Sequence, residues 1–166
     1  MSMIGNYYMT DRETVEKIQA GELAVEDLIY GEDDNVDEEC LLDIDKTWYA
    51  IHFTLTGEID EADESILTKV VFSANPINDE DVGYGPASLI GEEEVKEIDK
   101  ELKNISQADF RSKFNLKDMI ENEIYPVMEG EDESEFFEYV WVHFEALKNF
   151  FSKAASQNKC ILFYIN

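Results

Sequence analysis

The sequence predicts an α+β fold, a single domain over residues 1–166 in which the N- and C-terminal strands pair in a small central sheet surrounded by several helices. Three observations lead there. Phe137, Val140, Trp141, Phe144, Leu147, Phe151 and Ala154 recur at helical spacing, which defines one long C-terminal helix with a single apolar stripe. Cys160 to Ile165 reads CILFYI, a short continuous apolar run that fits a strand buried on both faces. Helical patterns outnumber strand patterns and no regular βαβ alternation appears, so helices and sheet are expected to segregate.

Met3 to Tyr8 is an apolar and aromatic run that reads as the first strand, the natural partner of Cys160–Ile165. Thr10 and Glu13 have the spacing of a capping box ahead of a helix from about Asp11 to Ala20, with Val15 and Ile18 inward and Gly21 as breaker. Glu22 to Tyr30 supports a second short helix, and Gly31 to Glu39 is a charge run with too little apolar content to fold alone. Asp45 reads as the N-cap of a helix from Lys46 to Thr56 that Gly57 ends. On it Trp48, Ile51, His52 and Leu55 share one face, widened by Tyr49 and Phe53.

Glu58 to Glu64 is a second acidic connection, and Ile66 to Ser73 fits either a helix or a buried strand. Asn75-Pro76 forces an extended or turned backbone. Gly83-Tyr84-Gly85-Pro86 reads as a rigid turn before a strand Ala87 to Ile90. Val95, Ile98, Leu102 and Ile105 define a helix after Glu92, Glu93 and Glu94, whose charges suit its N-terminus. Ser106 with Asp109 caps another helix presenting Phe110 and Phe114, and Asn115 caps a third through Leu116, Met119 and Ile120. Pro126 sets Tyr125 extended, Asp132 or Ser134 opens the long helix, and Asn158 fits its stop.

Charge is the strongest compositional fact. Asp and Glu number 39 against 13 Lys and Arg, a net charge of −26 at pH 7. A surface of that sign repels nucleic-acid phosphates and anionic membranes and speeds encounter with a basic protein, so a basic protein is the partner class it suits. No apolar run approaches the roughly 18 residues of a membrane span, and MSMIGNYYMTDRE lacks the basic start and apolar stretch of a signal peptide, so the expected location is cytoplasmic. Cys40 and Cys160 fit reduced thiols.

Several phrases together resemble one family. Met1, Met3, Ile4 and Gly5 at the start are followed by Leu42-Asp43-Ile44-Asp45-Lys46 with Trp48, then by Ile51-His52-Phe53 and Leu55-Thr56-Gly57. Gly83-Tyr84-Gly85-Pro86 and Glu123-Ile124-Tyr125-Pro126 complete the set. In order and spacing these are similar to the YfbM-like family of small bacterial proteins, over nearly the whole chain. The resemblance implies an α+β fold and a bacterial cytosolic setting, and it supplies no activity or catalytic residue. Members that keep the GYGP phrase often follow it with Ala-Arg, whereas this chain has Ala87-Ser88, so no role of that arginine is carried over to it.

Two functional readings follow. In the first, the chain is a non-enzymatic acidic binding protein, of inhibitor or immunity type, with Tyr30 or Tyr139 as anchors on a basic partner. Asp43, Lys46, Tyr84, Gly85 and Tyr125 are its candidate binding residues. In the second, it is a small hydrolase or transferase whose candidate catalytic residues are Asp43, His52 and Tyr84, a carboxylate orienting an imidazole as general base. His52 lies in the middle of an apolar arc, where a hydrogen-bonded core histidine is the plainer account. No phosphate loop, nucleophile elbow or His-rich metal motif occurs, and neither a metal site nor a cofactor is expected.

Overall fold

A computed structural model describes residues 2–31, 37–60 and 64–166. Parts of both acidic connections, residues 32–36 and 61–63, lie outside the described residues. The strands β1 (Gly5–Thr10), β2 (Leu41–Asp43), β3 (Pro76–Asp81), β4 (Pro86–Ile90) and β5 (Cys160–Ile165) form, among the described residues, one antiparallel sheet in the order β2-β1-β5-β4-β3. The expected pairing of the terminal strands is its centre, with Tyr7 opposite Phe163 and Tyr8 opposite Leu162.

Successive side chains of a strand point to opposite faces, so β1 and β5 need cover on both sides. Tyr7, Met9, Ile161 and Phe163 pack into the larger core with helices α3 (Trp48–Thr56), α4 (Glu92–Lys103), α5 (Gln107–Lys113), α6 (Leu116–Glu121) and α7 (Glu133–Ser156). Tyr8, Leu162 and Tyr164 face the smaller core, closed by Val15 and Ile18 of α1 (Arg12–Gln19) and Val25 and Ile29 of α2 (Val25–Tyr30). Every residue of the α7 stripe read from the sequence is buried, joined by Phe136 and Phe150.

The caps are local chemistry. Asp132 accepts from the Glu135 N–H at 3.0 Å, Ser106 and Asp109 close a reciprocal capping box, and Asn115 accepts from Asp118 N–H at 3.1 Å. Gly57 and Asn158 take left-handed backbone, with φ of 72° and 54°, at the ends of α3 and α7.

Four readings need correction. The cap of α1 is Asp11, which accepts from Thr14 N–H at 2.8 Å, one residue beyond Thr10. Asp45 caps nothing. Its φ is 51°, Asp45–Thr47 forms one 3-10 turn, and the α-helix begins at Trp48. The buried side of that helix is wider than the face of Trp48, Ile51, His52 and Leu55 and takes in Ala50 and Thr54, because α3 lies inside the larger core with Tyr49 and Phe53 only partly buried. Ile66–Val70 is a 3-10 helix whose terminal Val70 carbonyl accepts the Tyr7 phenol at 2.8 Å, and β2 and β3 are strands that the sequence did not announce.

These positions predict opposite outcomes for two neighbours on α7. Phe144, fully buried and stacked on Phe110 at 4.3 Å, should cost about 3–5 kcal/mol on replacement by Ala. Val142→Ala, at a site 61% exposed, should stay within about 0.5 kcal/mol. Urea denaturation of the two variants reads both values.

Candidate functional site

A connected polar cluster begins where β2 ends. The Asp43 carboxylate accepts the Asp45 N–H at 2.6 Å, which bends the chain back on itself. The left-handed backbone of Asp45 then accompanies a contact with α7: the Tyr139 hydroxyl donates to Asp45 Oδ2 at 2.7 Å and accepts the Lys46 N–H at 3.3 Å. One turn along α7, His143 Nδ1 donates to the Tyr139 carbonyl at 2.8 Å, and its ring stands edge-on to the phenol.

Burial first, then the hydrogen bond to Asp45, pushes the Tyr139 phenol well above its ordinary value. It therefore stays protonated at neutral pH and serves as a donor, not as a base or nucleophile. Beside this cluster Lys46, Pro126, Met128, Glu131, Glu135, Phe136 and Tyr139 line an open groove of about 420 Å³. Its floor is apolar, and two carboxylates stand on it with one ammonium.

The candidate catalytic residues do not meet. Asp43 is exposed at the end of β2, whereas Tyr84, 46% exposed, lies in the β3–β4 turn. With β1 and β5 between β2 and β4, those two strands are about 14 Å apart across the sheet. His52 is 0% exposed; its Nε2 lies 3.1 Å from the Asp60 carbonyl and its ring meets the Phe72 edge at 4.5 Å. Its place on α3 is an interior one.

The binding candidates divide between two places. Lys46 lines the groove, and Tyr125 lies close enough to Tyr139 to raise its phenol further. Tyr125 also has a scaffold contact: its hydroxyl accepts the Met3 N–H at 3.0 Å while its ring stacks on Trp48, whose indole N–H donates to the Met3 carbonyl. In the Gly83–Pro86 turn the backbone donors are engaged internally. Asp81 Oδ1 accepts from Gly83 and Gly85 at 2.9 and 3.1 Å, and the Tyr84 N–H donates to Ile165 at 2.9 Å. This turn is therefore a locked hairpin and not a cradle for an anion. Among the described residues no cluster of three or more His, Cys, Asp or Glu is placed to hold a metal.

The residue that sequence reasoning missed is Tyr139 as the partner of Asp45. It was visible only as a possible surface anchor, and the contact joins positions 94 residues apart. Nothing local to either residue signals it.

Fold and site together define a small, strongly acidic α+β protein with a tightly hydrogen-bonded turn beside one carboxylate-bearing groove. The chain belongs to the family described as a domain of unknown function, DUF1877, which it matches over residues 1–164. It is 29% identical to protein YfbM of Escherichia coli (strain K12) over 138 residues, 81% of this chain and 80% of that protein. It also resembles the crystal structure of YfbM from Escherichia coli, itself described as a protein of unknown function. The TM-score is 0.75 at 25% sequence identity, covering 98% of this chain and 99% of that one. The YfbM-like resemblance read from the phrases around Asp43, His52, Tyr84 and Tyr125 is thereby upheld.

Two measurements check this geometry. A double-mutant cycle of Tyr139→Phe and Asp45→Ala should return a coupling of about 0.5–1.5 kcal/mol in urea denaturation; additive losses would mean that the bond contributes nothing. The backbone donors of Gly83 and Gly85 hold the Asp81 carboxyl below its ordinary value. That stabilisation is fully present above the unfolded value of about 3.9 and is lost as pH falls through the lower folded one. Asp81→Ala should therefore flatten the fall in stability below about pH 4, and an unchanged acid slope would contradict the assignment.

Proposed function

We propose that this chain is a cytoplasmic, non-enzymatic binding protein that engages a basic protein partner, as an inhibitor or immunity-type protein covers a cationic surface. The observation that carries this reading is the net charge of −26, a field that accelerates encounter with a cationic partner and opposes nucleic acid and anionic membranes. The arrangement of the polar groups supports it. The Tyr139 phenol is protonated and held on Asp45, the His52 imidazole is enclosed, and the Gly83–Pro86 donors are engaged internally. The hydrolase or transferase alternative needs Asp43, His52 and Tyr84 around one cleft, and the distances above give it little support. No helix among the described residues is long and apolar enough to cross a membrane.

Affinity capture from a lysate of the source organism tests the proposal. Basic proteins should be retained at about 0.05 M salt and released by about 0.5 M, because screening shortens the range of the attraction. Retention of nothing at low salt, or turnover of an ester, amide or phosphate reporter that Asp43→Asn abolishes, would overturn it.

A further inference from the structure

Met128 and Val142 are the most exposed of the exposed large hydrophobic residues, at 68% and 61%. They belong to one strip. Met128 lines the groove with Pro126 and Phe136, and Glu135 of that groove stands seven residues before Val142, two turns along the same side of α7. Around Val142 the helix places Glu138 at i−4, Tyr139 at i−3, Glu145 at i+3 and Ala146 at i+4. Glu131, Glu135, Glu138 and Glu145 are all exposed, and none makes an ion pair among the described residues.

Other grooves differ in kind. The one between the starts of α5 and α7 carries Arg111 over the Phe137 ring, paired with Glu133. The one between α4 and α7 is lined by Lys96, Lys100 and Lys103 together with Glu93, Glu97 and Asp99, so its carboxylates are balanced by lysines, two of them in ion pairs. The cavity under Tyr84 is smaller, about 220 Å³, and has no charged residue in its lining. Exposed hydrocarbon coincides with unpaired carboxylates along the strip from Met128 to Val142.

We propose that this strip docks a basic amphipathic segment of a partner protein, its apolar side chains on Met128 and Val142 and its lysines or arginines against Glu131, Glu135, Glu138 and Glu145. The proposal rests on the binding reading above and locates it. Charge complementarity selects the occupant. A second copy of this chain would bring another chain of net charge −26 onto a row of carboxylates, and an anionic lipid surface meets the same repulsion. Lys46 is the one cation in the groove lining and opposes a basic occupant, so its neutralisation should tighten binding.

The test uses a fluorescein-labelled amphipathic Leu/Lys peptide of about four helical turns and an oligolysine of equal charge, read by anisotropy on the full chain. The Leu/Lys peptide should bind more tightly than oligolysine. Met128→Ala with Val142→Ala should weaken it about tenfold, and Lys46→Gln should strengthen it. Glu135→Lys with Glu138→Lys should also cost about tenfold, against less than about twofold for the charge-matched pair Glu16→Lys on α1 with Glu22→Lys just beyond its C-terminal end. Equal losses from both reversed pairs, with no effect of the alanines, would overturn the strip and leave the general reading standing. Absence of binding by either peptide at about 0.05 M salt would overturn both. A dimer in sedimentation that Met128→Ala with Val142→Ala dissolves would assign the strip to a second copy and overturn the proposal.

Discussion

The strand Cys160–Ile165 has almost no side that water can reach, and the rest of the architecture answers that constraint. All but its last residue is buried, and its neighbours β1 and β4 hydrogen-bond both of its edges. A strand in that position needs cover above and below, so the chain supplies a large helical layer on one face and α1 with α2 on the other. The adjacent tyrosines of β1 show the division within one dipeptide. Tyr7 enters the larger core, where its hydroxyl donates to the Val70 carbonyl, and Tyr8 faces the smaller one.

What was legible in the sequence is what local chemistry decides. Asp132, Ser106 and Asn115 satisfy amides three residues away, and the α7 stripe needs only helical periodicity, so both read directly. β3 was not legible because Pro76-Ile-Asn-Asp-Glu-Asp81 has little strand propensity. It is an edge strand whose proline and carboxylates suit an unpaired outer side, and β4 imposes its conformation. β2 has three residues and exists through its pairing with β1. Asp45 misled for a related reason: its position before an apolar helix is that of a cap, but a hydroxyl from α7 holds its carboxylate instead.

That contact also turns the acid and the phenol of this cluster toward each other. A general base has to exchange its proton near neutral pH. Here burial and Asp45 together raise the phenol, Asp43 is occupied by the next turn of its own chain, and the His143 Nδ1–H donates to a backbone carbonyl, which fixes the orientation of the ring. Each polar group holds a piece of backbone in place. The chemistry that remains outward is that of the exposed glutamates, which attract at a distance and pair on contact.

Val142 makes sense in those terms. A valine on the outer side of a helix loses side-chain freedom relative to a straight-chain residue and leaves hydrocarbon in water, so it serves neither the helix nor its solvation. Its neighbours at i−4 and i+3 are glutamates, either of which suits that outer position better. One exposed valine is unremarkable on any surface. Two turns from a groove that exposes Met128 over Pro126 and Phe136, it extends an apolar track along α7. Isolated carboxylates give a protein long-range attraction without register. A track of hydrocarbon beside a row of them supplies the register, since only a segment with apolar and basic side chains at matching spacing satisfies both at once.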